Sequence, residues 1–143
     1  MATLSGAAST VAGAASFTGV NQINPFDTTA VFNQGIDAGG FLSYAQASIV
    51  TNTNNAWTFA TLASNGQLNS PGAPQVLEWN NDNTVYGAGA LDGPVATGGT
   101  TVTITWGYNW FQSIQSAIGV AALKAATTGG SVVSSVSWQE VIN

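Results

Sequence analysis

Six carboxylates and one lysine make up the ionic chemistry of the whole chain, which contains neither histidine nor cysteine. Without those two residue types no Ser–His or Cys–His pair can be built, and the commonest metal ligand is missing. Two carboxylates facing each other across a sugar would suffice for a glycosidase. Glu78 and Asp82 are the nearest pair of use, but they straddle the turn-rich stretch Asn80–Asn83 (NNDN), which reads as a solvated loop. That stretch also lacks the ligand spacing of a calcium loop. The expectation is a protein that is not an enzyme, with no cofactor and no metal.

What remains is aromatic and hydroxyl chemistry. Trp57, Trp79, Trp106, Trp110 and Trp138 are joined by Tyr44, Tyr86, Tyr108 and six phenylalanines. Trp57 and Trp79 read as ordinary core aromatics. Tyr108, Trp110 and Phe111 fall together where a strand pattern gives way to a different period, so they cannot all face one core. Tyrosine and tryptophan have one apolar end and one polar end, which suits a lipid–water interface or the face of a sugar. Such rings can also hold a choline group through cation–π contact.

The rest of the composition agrees with recognition by uncharged groups. Apolar residues make up 45% of the 143, and charged residues only 5%, against about a quarter in an ordinary soluble domain. The net charge of −5, with no basic patch, excludes ordinary nucleic-acid binding, because nothing neutralises phosphates. It equally excludes simple attraction to anionic lipid. A membrane partner would be recognised by its head group or by apolar insertion, and the near absence of charge repulsion favours a homo-oligomer. The absence of cysteine leaves the redox compartment open. The expected setting is secreted or at an extracellular surface, although the first stretch lacks the basic and Leu-rich regions of a signal peptide. No run reaches the hydrophobicity of an ordinary transmembrane helix.

Two parts are expected along the chain. Residues 1–24 carry no charge and are dominated by Ala, Gly, Ser and Thr, with Leu4, Val11, Phe17, Val20 and Ile23 as larger apolar points. This segment reads either as a flexible or strand-paired arm or as a membrane-inserting helix, whose length of roughly 36 Å would cross a bilayer core of about 30 Å. Residues 25–143 read as a β-sandwich domain. Strands are expected at 41–50, 56–62, 75–79 and 100–106, with Ser64-Asn65-Gly66 as a hairpin turn and a closing strand at 131–142. Thr100–Trp106 (TTVTITW) alternates most strictly, through Val102, Ile104 and Trp106. At 109–126, Phe111, Ile114, Ile118 and Ala121 or Ala122 recur at helical spacing after a capping Asn109. The expected fold class is mainly β, a β-sandwich with one or two short flanking helices.

Several stretches resemble the actinoporins, pore-forming cytolysins with a β-sandwich and two flanking helices. Val11–Ile23 (VAGAASFTGVNQI) is similar to the start of their N-terminal helix. Val85-Tyr86 followed by Gly93–Gly98 (GPVATG) matches a hairpin of the family, and Tyr108–Phe111 (YNWF) its Tyr-Asn-Trp-aromatic motif. Ser48–Thr58 looks like the family's preceding strand pair. The resemblance implies binding of sphingomyelin-like phosphocholine head groups, then oligomerisation and membrane insertion. Carried onto this chain, the lipid- or glycan-binding site would comprise Ser64, Val95, Thr103, Tyr108, Trp110 and Phe111. Fungal fruit-body lectins share that fold and bind glycans without lysis, so a non-lytic lectin is the second reading. A self-assembling filament, tube or coat subunit is the third, since it accounts equally well for the missing charge.

Overall fold

The computed structural model describes residues 15–37, 44–66, 68–81, 86–108, 114–126 and 133–136. Its ten strands are β1 (Ala15–Thr18), β2 (Val31–Asp37), β3 (Tyr44–Val50), β4 (Ala56–Ser64), β5 (Leu68–Pro71), β6 (Val76–Asn81), β7 (Tyr86–Val95), β8 (Thr101–Tyr108), β9 (Ile114–Leu123) and β10 (Val133–Val136). They form a five-stranded sheet in the order β2-β9-β4-β7-β6, a three-stranded sheet β3-β8-β5, and a two-stranded pair β1-β10. Every pairing is antiparallel. The fold is mainly β, as expected.

Between β2 and β9, consecutive strands lie in opposite sheets, except for β6 and β7, which pair directly. This is the double-sheet winding of a jelly roll. The core lies between the two sheets. Ala45, Ala47 and Ile49 of β3 and Val102, Ile104 and Trp106 of β8 face Ala60, Leu62, Ala88, Ala90, Ile114, Ile118, Val120 and Ala122 of β4, β7 and β9. In β3 and β4 buried and open positions alternate, as a strand with one covered face requires. The core residues of β7 are alanines, while those of β8 are larger, and Trp106 is fully buried. Its indole N–H has no hydrogen-bond partner.

The helix expected at 109–126 is a strand over residues 114–123, and residues 109–113 lie outside the described part. Ile114, Ile118 and Ala122 are four apart, a spacing that keeps one face in a helix and in a strand alike. Val120, buried between Ile118 and Ala122, breaks the tie in favour of period two. Among the described residues there is no helix, so the short flanking helices are absent from that part. Of residues 1–24, read as a strand-paired arm or a membrane-inserting helix, the stretch Ala15–Thr18 is strand β1, paired with β10, where exposed Ser16 and Thr18 flank the inward-packed Phe17. Gly19, at φ 73°, turns the chain out of that strand. Residues 1–14 lie outside the described part.

The turn at Ser64-Asn65-Gly66 does not close a hairpin, because β4 and β5 belong to different sheets. Gly93–Gly98 is similarly a crossover, from β7 to β8, and not the loop of a hairpin.

Candidate functional site

Strand β4 sets out the geometry of the outer face of the large sheet. Ala56, Thr58, Ala60, Leu62 and Ser64 are buried, while Trp57, Phe59, Thr61 and Ala63 point the other way. One half of this outer face is covered. Val20 and Leu123 form a second small core there with Phe17, Trp57 and Ala125. Phe17 meets Phe59 edge to face, with ring centroids 5.7 Å apart and planes at 72°. The covering segment is fixed by backbone bonds from Asn21 N to Lys124 O (2.9 Å) and from Ala126 N to Gly19 O (2.7 Å).

The other half is open among the described residues, and a single transverse row organises it. Phe32 pairs with Gly119, Gly119 with Thr61, Thr61 with Gly89, and Gly89 with Trp79. An aromatic residue thus stands on each edge strand, with glycine, threonine and glycine between them. A groove of about 390 Å³ follows this row, lined by Phe32, Asn33, Gln34, Thr61, Ala63, Trp79, Ala117 and Gly119, with Leu62 and Ile118 beneath. None of these carries a charge. Phe32 is 83% exposed, and the Asn33 amide donates to Gln46 O of β3 at 2.9 Å, which clips the edge of one sheet to the other.

The two glycines of the row do different things. A Cβ on Gly89 would collide with Trp79 Nε1, so the indole rests where a side chain would otherwise stand. A Cβ on Gly119 would meet only Thr61 Oγ1, at 3.7 Å. Trp79, expected in the core, therefore lies on the outer face, where a bulge between Leu77 and Trp79 offsets its strand. Trp57 packs in the small second core instead, and the deeply buried tryptophan is Trp106.

Of the six residues picked out in the sequence, Ser64, Val95, Thr103 and Tyr108 are among the described residues. Ser64 is buried at the end of β4, where its hydroxyl donates to Gly66 O (3.0 Å) and accepts from Gly66 N (2.9 Å). Val95 pairs with Ala56 at the opposite end of that nine-residue strand, roughly 27 Å away at a usual rise per residue. It is half-buried against the main core, and its carbonyl accepts from Asn55 N at 2.8 Å. Thr103 is exposed on the outer face of the small sheet, with its hydroxyl 2.8 Å from that of Ser48. Tyr108 ends β8 opposite Leu68, and Trp110 and Phe111 lie outside the described residues. Ser64 and Val95 thus sit at the two ends of the sandwich and do not converge on one site.

A dense clasp closes the Val95 end. The Asp27 carboxylate accepts from the backbone N–H of Asn52, from Thr53 N at 3.3 Å and from Thr53 Oγ1 at 2.5 Å. Gly98 N donates to Asn54 Oδ1 at 2.9 Å. These bonds satisfy the crossover loops internally, as buried and half-buried polar groups require.

Sequence reading missed the groove because its walls come from residues 32 and 79 and its floor from 61, 89 and 119, which only strand register brings together. The one local signal was Gly119 inside an otherwise apolar run. A lone glycine in a strand often marks close approach by another group. Among the described residues, no helix is long and apolar enough to cross a membrane. No family model, curated protein or solved structure matches this chain.

Proposed function

We propose that this protein is a glycan-binding module whose recognition surface is the open half of the large sheet. The observation that carries this reading is a groove walled by Phe32 and Trp79 and edged by amides and a hydroxyl, with no charge in its lining. Sugars present flat C–H faces for aromatic rings and hydroxyls for amides, and a neutral groove selects neutral ligands. The test is a glycan array probed with the intact protein and with Trp79→Ala. Binding to neutral glycans that the variant loses supports the reading, and an array with no signal for the intact protein removes it.

The same array experiment is paired with dye release from sphingomyelin vesicles. Leakage without any glycan signal would favour the actinoporin-like reading, in which the head-group site includes Trp110 and Phe111.

Self-assembly is a second reading, favoured by a separate observation. Ile23, Phe26, Phe32, Val76 and Leu77 are exposed on a protein with almost no charge to keep copies apart. Phe32 lies on one edge strand of the large sheet, and Val76 and Leu77 lie on the other. Each edge strand carries a single charged residue, Asp37 on β2 and Glu78 on β6, and edges so thinly guarded invite pairing between chains. Ordered polymers in plain buffer, seen by electron microscopy and dispersed by Val76→Lys, would establish it. A monodisperse monomer at high concentration would refute it.

A further inference from the structure

We infer that the groove holds an extended, flat, uncharged oligosaccharide laid across the strands, and not a single terminal sugar ring; the inference rests on the glycan-binding reading. The first reason is span. Phe32 and Trp79 stand on the two outermost strands of the large sheet. Four interstrand spacings separate them, about 19 Å. One pyranose ring cannot touch both walls, whereas a short β-linked chain, a ribbon with C–H faces, can lie against each in turn.

The second reason is the vacant position at Gly119. Glycine weakens a strand interior because it leaves the backbone free and packs nothing. At Gly89 the protein itself uses the room, since Trp79 Nε1 fills it. At Gly119 no other described residue does, since the nearest described atom to a Cβ there is Thr61 Oγ1 at 3.7 Å. The gap lies one strand in from the Phe32 wall, between Phe32 and Thr61 in the same row. A ligand that must pass directly over the backbone explains a bare floor there.

The third reason is the kind of polar group available. The Thr61 hydroxyl and the Gln34 amide are exposed on the groove and make no hydrogen bond to another described residue. Uncharged donors and acceptors beside aromatic walls match the equatorial hydroxyls of a neutral chain. They give no counterion to a uronic acid or a sulfate.

The test is titration calorimetry of the intact protein with glucose, cellobiose, cellotetraose and cellohexaose and with the matching chito-oligosaccharides. Affinity should climb with chain length by roughly tenfold or more from the disaccharide to the longest chain, as each further ring stacks. Gly119→Val should reduce the affinity for the long chain at least about tenfold by filling the groove, with a melting temperature no lower than the parent's. Phe32→Ala, at an exposed wall, should reduce long-chain affinity while leaving disaccharide affinity nearly intact. Equal affinity for glucose and the long chains, or array binding confined to terminal sugars, overturns the extended site while the glycan-binding reading stands. Undiminished binding by a folded Gly119→Val overturns the placement. If no saccharide binds and Gly119→Val instead disperses self-association, the groove belongs to a second copy, and both the inference and the glycan reading fail.

Discussion

The two halves of one sheet face are built by opposite rules. Where Phe17 and Val20 cover it, the sheet offers Trp57, Phe59 and Leu123, large side chains that bury one another. Where no described residue covers it, the same strands offer Thr61, Ala63, Ala117 and Gly119, and the large residues retreat to the edges. Bulk is thus placed where the chain supplies its own partner and withheld where it does not. An uncovered face left merely unfinished would have no reason to be hollow. Its hollow shape, bounded by two rings, is the strongest physical ground for a partner outside the chain.

That contrast can be broken first at its covered end. Phe17→Ala removes a ring packed on Phe59 and should cost about 2 kcal/mol in urea denaturation, less than for a fully buried phenylalanine. Phe32→Ala, the same chemical change on the open half, should stay within about 0.5 kcal/mol of the parent. Equal costs would mean that the two halves are not differently built. The next effect in size is at Gly89. Gly89→Ala places a methyl against the Trp79 indole nitrogen, so the indole must move, at a cost of about 1 to 2 kcal/mol. Tryptophan fluorescence should shift with it. The smallest effect should be at Gly119, where alanine meets nothing closer than 3.7 Å and should raise stability by about 0.5 kcal/mol. A loss of stability there would show that the vacancy serves the protein's own packing.

Outside the sheet face, the Asp27 clasp gives an independent check. Asp27→Ala removes a carboxylate that accepts from Asn52 and Thr53 and should lower stability by about 1 kcal/mol, since the acceptor is charged but only half-buried. Thermal denaturation measures it.

Much of the fold was legible because alternation is a local property. Val102, Ile104 and Trp106 announce β8 and its buried face from sequence alone, and all three are in the core. Strand β7 was not legible, since Ala88 and Ala90 lie fully buried among glycines and show no hydrophobic alternation. They lie in the same core as Trp106, whose bulk comes from the other sheet, and sequence spacing does not reveal what a strand faces. Strand β9 was misread because a four-residue repeat satisfies both periods, and only Val120 distinguishes them. The site was the least legible part. Ser64 and Val95 are conspicuous in motifs yet sit at opposite ends of the sandwich, while Phe32, Gly119 and Trp79 share no motif and meet through register alone.

The winding of the chain bears on how the molecule comes into being. The edge strand β2 finds its partner only in β9, and β4 is held between β7 and β9. The large sheet therefore cannot zip up from its N-terminal end, and early strands must wait on the ribosome until residues beyond 120 emerge. Such distant pairing makes for slow maturation, and a nascent chain with so little charge is exposed to clumping throughout that wait.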